Sequence, residues 1–216
     1  MGNRGRATLA RARAAAFCCC VSLLPACSVG ISVKFNAPST AAAAAATVLP
    51  VEDVRSISGV AEFHEVAELD VAAPAAIPNT PAGCRGLFDP PTVFGADWEQ
   101  FRAAGYSALL DAPVLPIMAD VRQAVAVYPD STTAQTKFDR LTDAVPDCTK
   151  AGTGYHRRTV QSPDRNTLLL NSEEADGPYT TYRLTGTTLI STTALGLPDS
   201  ERVAREVLDD LERAQR

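Results

Sequence analysis

"DVRQAVAVYPDSTTAQTKF", Asp120 to Phe138, decides the fold. Its first half alternates. Val121, Gln123, Val125 and Val127 fall on one side, and Arg122, Ala124, Ala126 and Tyr128 on the other. Six of these eight residues are apolar or aromatic, which predicts a central strand buried on both faces. Pro129-Asp130-Ser131 then stops the strand and caps a helix. That helix is predicted to run to about Val145, with Ala134, Phe138, Leu141 and Val145 forming one stripe against the sheet.

On the C-terminal side, "GYHRRTVQ", "NTLLLNSE" and "YTTYRLTGTTLISTTAL" are rich in threonine, tyrosine, leucine and valine. Ser162-Pro163-Asp164 and Asp176-Gly177-Pro178 separate them as turns, and the third divides into two strands at Thr185-Gly186-Thr187. Pro198-Asp199-Ser200 opens a last helix whose buried face is Val203, Val207, Leu208 and Leu211. On the N-terminal side, "VEDVRSIS" is a short amphipathic helix ended by Gly59. "EFHEVAEL" fits a strand or a second short helix. Five prolines between residues 72 and 92 predict an irregular loop around Cys84. A strand is expected near Tyr106–Leu110. The sum is an α+β domain, a twisted antiparallel sheet packed against helices with a cleft between them.

The first residues belong to something else. Arg4, Arg6, Arg11 and Arg13 precede an apolar run from Ala14 to Leu24, and Ala26 precedes Cys27. This is the pattern of a secretory signal peptide over residues 1–26. Leu24-Pro25-Ala26-Cys27 resembles a bacterial lipobox, departing from it at Pro25, and so implies a lipid on Cys27. Cys18, Cys19 and Cys20 then serve as apolar filler. Residues 27–49, with their alanine run, read as the lipidated start and a flexible tether, and residues 50–216 as one domain.

The full chain has 20 basic and 25 acidic residues; without the four leader arginines 16 basic residues remain and the net charge is −9. Such a domain repels phosphate backbones, and nucleic-acid binding is excluded as a function class. Cys84 and Cys148 are the two thiols left in an oxidising compartment and are expected to form a disulfide.

Little points to catalysis, a cofactor or a metal. There are two histidines, His64 and His156, and no G-x-S-x-G elbow. Glu173-Glu174-Ala175-Asp176 reads as a solvated turn sooner than as a cation site. Gly152 and Gly154 lack the third glycine of a dinucleotide loop. Tyr155, Tyr179, Tyr182 and Arg183 are the candidate ligand-binding residues for the cleft. Tyr179 and Tyr182, three apart, should face opposite sides of a regular strand, so at most one of them lines it.

The order of parts resembles the PknH-like extracellular domain family of mycobacteria and relatives. The resemblance rests on "PVEDVRSISG", "PAGC", "GYSAL", "VRQAVAVYPDSTTAQTKF" with a cysteine ten residues on, and "DSERVAREVLDDLERA". It implies a sensor domain, found in a receptor kinase and in lipoproteins, with a cleft for an unidentified ligand. It further implies a second disulfide near the C-terminal hairpin, but those positions fall near Thr181 and Leu195 here, where no cysteine stands. The expected partners are a lipid bilayer through Cys27 and a small-molecule, lipid or glycan ligand of the cell envelope. A small envelope hydrolase and a structural envelope protein are the alternatives.

Overall fold

The computed structural model describes residues 45–151, 156–173 and 177–216. The signal peptide, Cys27 and most of the tether therefore lie outside the described residues, as does Tyr155.

The alternating segment forms β3, Ile117–Val127, which pairs antiparallel with β2, Gln100–Leu110, over eleven residues, from Gln100↔Val127 to Leu110↔Ile117. A two-residue strand, β1 (His64–Glu65), extends this edge. After α4 (Ser131–Ala151) the chain makes a four-strand meander: β4 (Arg158–Asp164), β5 (Thr167–Ser172), β6 (Tyr179–Thr185) and β7 (Thr188–Leu195). Gly186, at φ +60°, supplies the left-handed backbone that the tight β6–β7 turn requires. Strand β7 returns to pair with β3, so the seven strands stand in the order β1-β2-β3-β7-β6-β5-β4.

Helices cover both faces of this sheet. On one face lie α1 (Val51–Ser58), ended by Gly59 at φ +74°, and α5 (Ser200–Ala214). The α5 start is capped by Asp199, whose side chain accepts from the Arg202 amide at 3.2 Å. Its Val203, Ala204, Val207, Leu208 and Leu211 pack on Val121, Val125, Ile190 and Ala194 of the sheet. The chain entering this face is held by glutamine side chains acting as substitute peptide groups. Gln123 accepts from the Leu49 amide at 3.0 Å and donates to the Leu49 carbonyl at 2.6 Å. Gln215 makes the same two-way contact with Thr47, and Gln100 accepts from the Ala46 amide. The fixed part of the chain thus includes the last residues assigned to the tether.

The other face carries α4 with two short helices, α2 (Arg85–Phe88) and α3 (Pro90–Phe94). Here the structure corrects two expectations. The proline-rich segment is helical around Cys84, because Pro90 and Pro91 occupy the first turn of α3, where a missing N–H costs nothing. Helix α4 does not stop at Val145. It continues through Pro146 to Ala151, so Cys148 lies within it. A proline inside a helix costs about 3 kcal/mol, and the turn beyond it is tied down from outside. Cys84 and Cys148 form a disulfide, with their Cα atoms 4.2 Å apart and a sequence separation of 64. Beside it the short helices approach α4 closely, because Gly86 has no side chain. A Cβ there would stand 2.5 Å from that of Ala144.

Candidate functional site: a cleft over small side chains

A strand pairing puts Cα partners on the same face, so the register decides what each helix layer meets. On the α4 face one row across the sheet reads Ala103, Ala124, Ser191, Tyr182. The next reads Gly105, Arg122, Thr193, Thr180. Except for Tyr182 and Arg122, all are small. In the row on the other side stand Phe101, Ala126, Leu189 and Leu184, which fill the space beneath α3 and α4 with bulk. The small rows leave a cleft of about 450 Å³, within the range of about 300–1,000 Å³ usual for small-molecule sites.

Its outer wall comes from the chain just before the proline-rich segment, from that segment and from the short helices: Leu69, Val71, Ile77, Phe88, Val93 and Phe94. Its polar groups are few. Thr180 and Thr193 share a hydrogen bond at 3.0 Å, and Tyr182 donates to the Leu87 carbonyl. Ser191 stands on the floor. Arg122, exposed, marks one end, with Asp120 3.6 Å from its guanidinium. His156 packs edge-on to Phe88 with ring centroids 5.5 Å apart, and the Arg158 guanidinium lies 5.3 Å from the same ring. Burial first, and the Arg158 charge second, hold the His156 imidazole below its ordinary value of 6.5. The cleft is thus an apolar trough with hydroxyls on its floor, and Arg122 and Glu68 are the charged residues that line it.

Of the residues singled out for ligand contact, Tyr182 lines the cleft. Tyr179 and Arg183 do not. Both face α5 on the other side of the sheet. The Tyr179 hydroxyl bonds Glu201 at 3.3 Å, with the Arg205 guanidinium 5.5 Å from its ring, and burial raises its pKa. Arg183 bridges Asp209 at 2.6 Å and Glu212 at 3.0 Å, contacts that tie β6 to α5. His64 is exposed on the edge strand. Glu173 lies 3.7 Å from Arg157, while Glu174 and Asp176 fall outside the described residues. Among the described residues no three His, Cys, Asp or Glu side chains gather to hold a metal.

The profile of the PknH-like extracellular domain matches residues 39–211. The chain belongs to that family. The PknH-like domain therefore spans both core layers, the cleft and the disulfide. Among solved structures, the extracellular domain of PknH from Mycobacterium tuberculosis superposes with a TM-score of 0.56 at 16% identity, over 77% of this chain and 93% of that one. The likeness is one of fold. Comparison with curated proteins finds no match. The second disulfide that the resemblance implies, near Thr181 and Leu195, has no cysteine here, and a different contact holds the hairpin. Thr181 and Thr192 share a hydrogen bond at 2.6 Å, and Thr192 donates to the Ala204 carbonyl at 2.8 Å, joining the hairpin to α5. Membership places the domain outside the cytoplasm, and among the described residues no helix is long and apolar enough to cross a membrane.

Proposed function

We propose that this PknH-like domain is a non-catalytic sensor or binding module, held at the outer side of the membrane by lipid on Cys27. Its cleft takes up a largely apolar molecule of the cell envelope reversibly. One observation carries the reading. A trough of about 450 Å³ is kept open by small side chains in register on four strands, and apolar residues line most of it. A core with no occupant to admit gains by filling such a space, because empty apolar volume forfeits contacts. The leader sequence and Cys27 support the anchored location, and the family's extracellular character agrees with it.

A thermal-shift screen with envelope lipids and glycans tests the binding. A ligand at a hundred times its dissociation constant stabilises by about 2.7 kcal/mol. Ala124→Leu, which fills the floor, should abolish that shift. A shift that survives the substitution places the ligand elsewhere. Turnover of an ester or glycoside, lost on replacing one serine or carboxylate, would establish the hydrolase instead. Labelled palmitate should enter the wild-type chain and not the Cys27→Ala variant.

A further inference from the structure

The β2–β3 hairpin ends in a segment that the cleft does not use. Ala112 to Ala119 reads APVLPIMA, eight uncharged residues between Asp111 and Asp120. Val114 is 89% exposed, Leu115 73%, Met118 63% and Leu109 62%. Of the large apolar side chains exposed in the described residues, all but Ile77 belong to this hairpin, so the exposure is concentrated in one place and not scattered. The hairpin is also firm beneath its tip. Pairing runs up to Leu110↔Ile117, and Gly196, at φ +68°, sits so close to the Met118 carbonyl that a Cβ would stand 2.3 Å from it.

Three kinds of occupant could cover such a tip. Another strand would need backbone donors, and Pro113 and Pro116 remove two of them. A protein partner binds most strongly through Trp, Tyr and Arg, while Leu and Val are poor anchors. The tip has none of the first group, and its exposed large side chains are the aliphatic Val114, Leu115 and Ile117 with Met118. Hydrocarbon asks only for aliphatic surface and no charge. We propose that this tip inserts into the apolar phase of a lipid layer, through aliphatic burial and without electrostatic attraction.

The rest of the chain brings the tip to such a layer. In the lipid-anchored reading, nineteen residue steps separate Cys27 from Ala46 and extend to about 65 Å at most. Ala46 is bonded to Gln100, at the far end of β2 from the tip, and that strand is about 33 Å long. The tether is long enough for the tip to touch the membrane that holds the anchor. Met118, Asp120, Arg122 and Ala124 alternate along one face of β3, so the contact sets the Arg122 end of the cleft nearest the lipid.

The test uses the full chain carrying Leu115→Trp, with phosphatidylcholine vesicles whose acyl chains are brominated. The introduced indole should shift to the blue and be quenched, equally at low and high salt. Trp98, half-buried at the opposite end of β2 with its N–H on the Gly95 carbonyl, should not respond in the wild-type chain. Adding Val114→Asp should cut the quenching about tenfold. An indole that stays exposed and unquenched while the chain is bound to vesicles overturns the proposal. So does shielding without vesicles in a chain that sediments as a dimer, which would make the occupant a second copy. A requirement for anionic lipid would overturn it too. Ala124→Leu should leave the quenching intact, which separates this contact from the fate of the cleft reading.

Discussion

The two faces of the sheet are made from the same strands and end differently. On the α5 face one fifteen-residue helix lays Val203, Val207, Leu208 and Leu211 on Val121, Val125 and Ile190, and each of these is fully buried. On the α4 face the cover is divided between a long helix and two short ones, and the sheet beneath presents Ala103, Ala124, Ser191 and Thr193. Alternation along a strand assigns residues to faces, but the size of each residue decides whether a face closes. The α5 face is a core. The α4 face is a core at one end and a cleft at the other.

The largest expected effect concerns how the α4 face is fastened. The Cys84–Cys148 bridge ties the segment leading into α2 to the last turns of α4. By the chain-entropy argument, a loop of this length contributes about 4 kcal/mol. Denaturant unfolding of the Cys84→Ser/Cys148→Ser chain should show a loss of that order, with amide exchange rising first in α2 and the end of α4. Equal acceleration in α5 would mean that the faces do not differ in independence.

Next come two alanines that test the comparison directly. Ala194, on the α5 face, is fully buried between Val121 and Tyr179 in the register. Ala194→Leu should overpack that face and cost about 1–3 kcal/mol. Ala124→Leu, over the cleft, should change stability by less than about 1 kcal/mol, because the added methylenes enter open space. Equal costs at the two positions would remove the case for an open floor.

A smaller contrast involves the two tyrosines of β6. The Tyr182 hydroxyl is buried on the Leu87 carbonyl, so Tyr182→Phe should cost about 1 kcal/mol. The Tyr179 hydroxyl reaches Glu201 near the surface, and Tyr179→Phe should stay within about 0.5 kcal/mol. Paired unfolding curves would check the order, and its reversal would place the better-satisfied hydroxyl under α5.

This pair also shows what was legible in the sequence. That Tyr179 and Tyr182 face opposite ways follows from their spacing, but which of them meets a cleft depends on which helix covers which side. The alternation of β3, the α5 stripe and the turn at Gly186 were readable because each lies within one short window. The disulfide was readable once the leader cysteines were set apart. The cleft floor was not. It joins Ala103 and Ala124 to Thr180, Ser191 and Thr193, and only the register across four strands brings these together. The end of α4 was not legible for a related reason, since the contacts that hold it beyond Pro146 come from Cys84 and Gly83, some sixty residues earlier.

The smallest effect follows from His156, which stands in the cleft wall against Phe88. Burial, and then the nearby Arg158, lower its pKa from the ordinary 6.5. The folded chain therefore resists a proton that the unfolded chain accepts. Where the unfolded state binds more protons, stability rises with pH. Stability should accordingly decline as pH falls below about 6.5, and this contribution should level off once the folded imidazole is also charged. The group is partly exposed, so the effect should be smaller than those of the substitutions above. Two measurements fix it. The His156 ring proton should titrate with a midpoint below 6.5 in the folded chain. Unfolding free energies at pH 7.5 and 5.5 should differ less in His156→Gln than in wild type. A midpoint at or above 6.5 would mean that this wall is as wet as the surface, and the contrast between the faces would then rest on the floor residues alone.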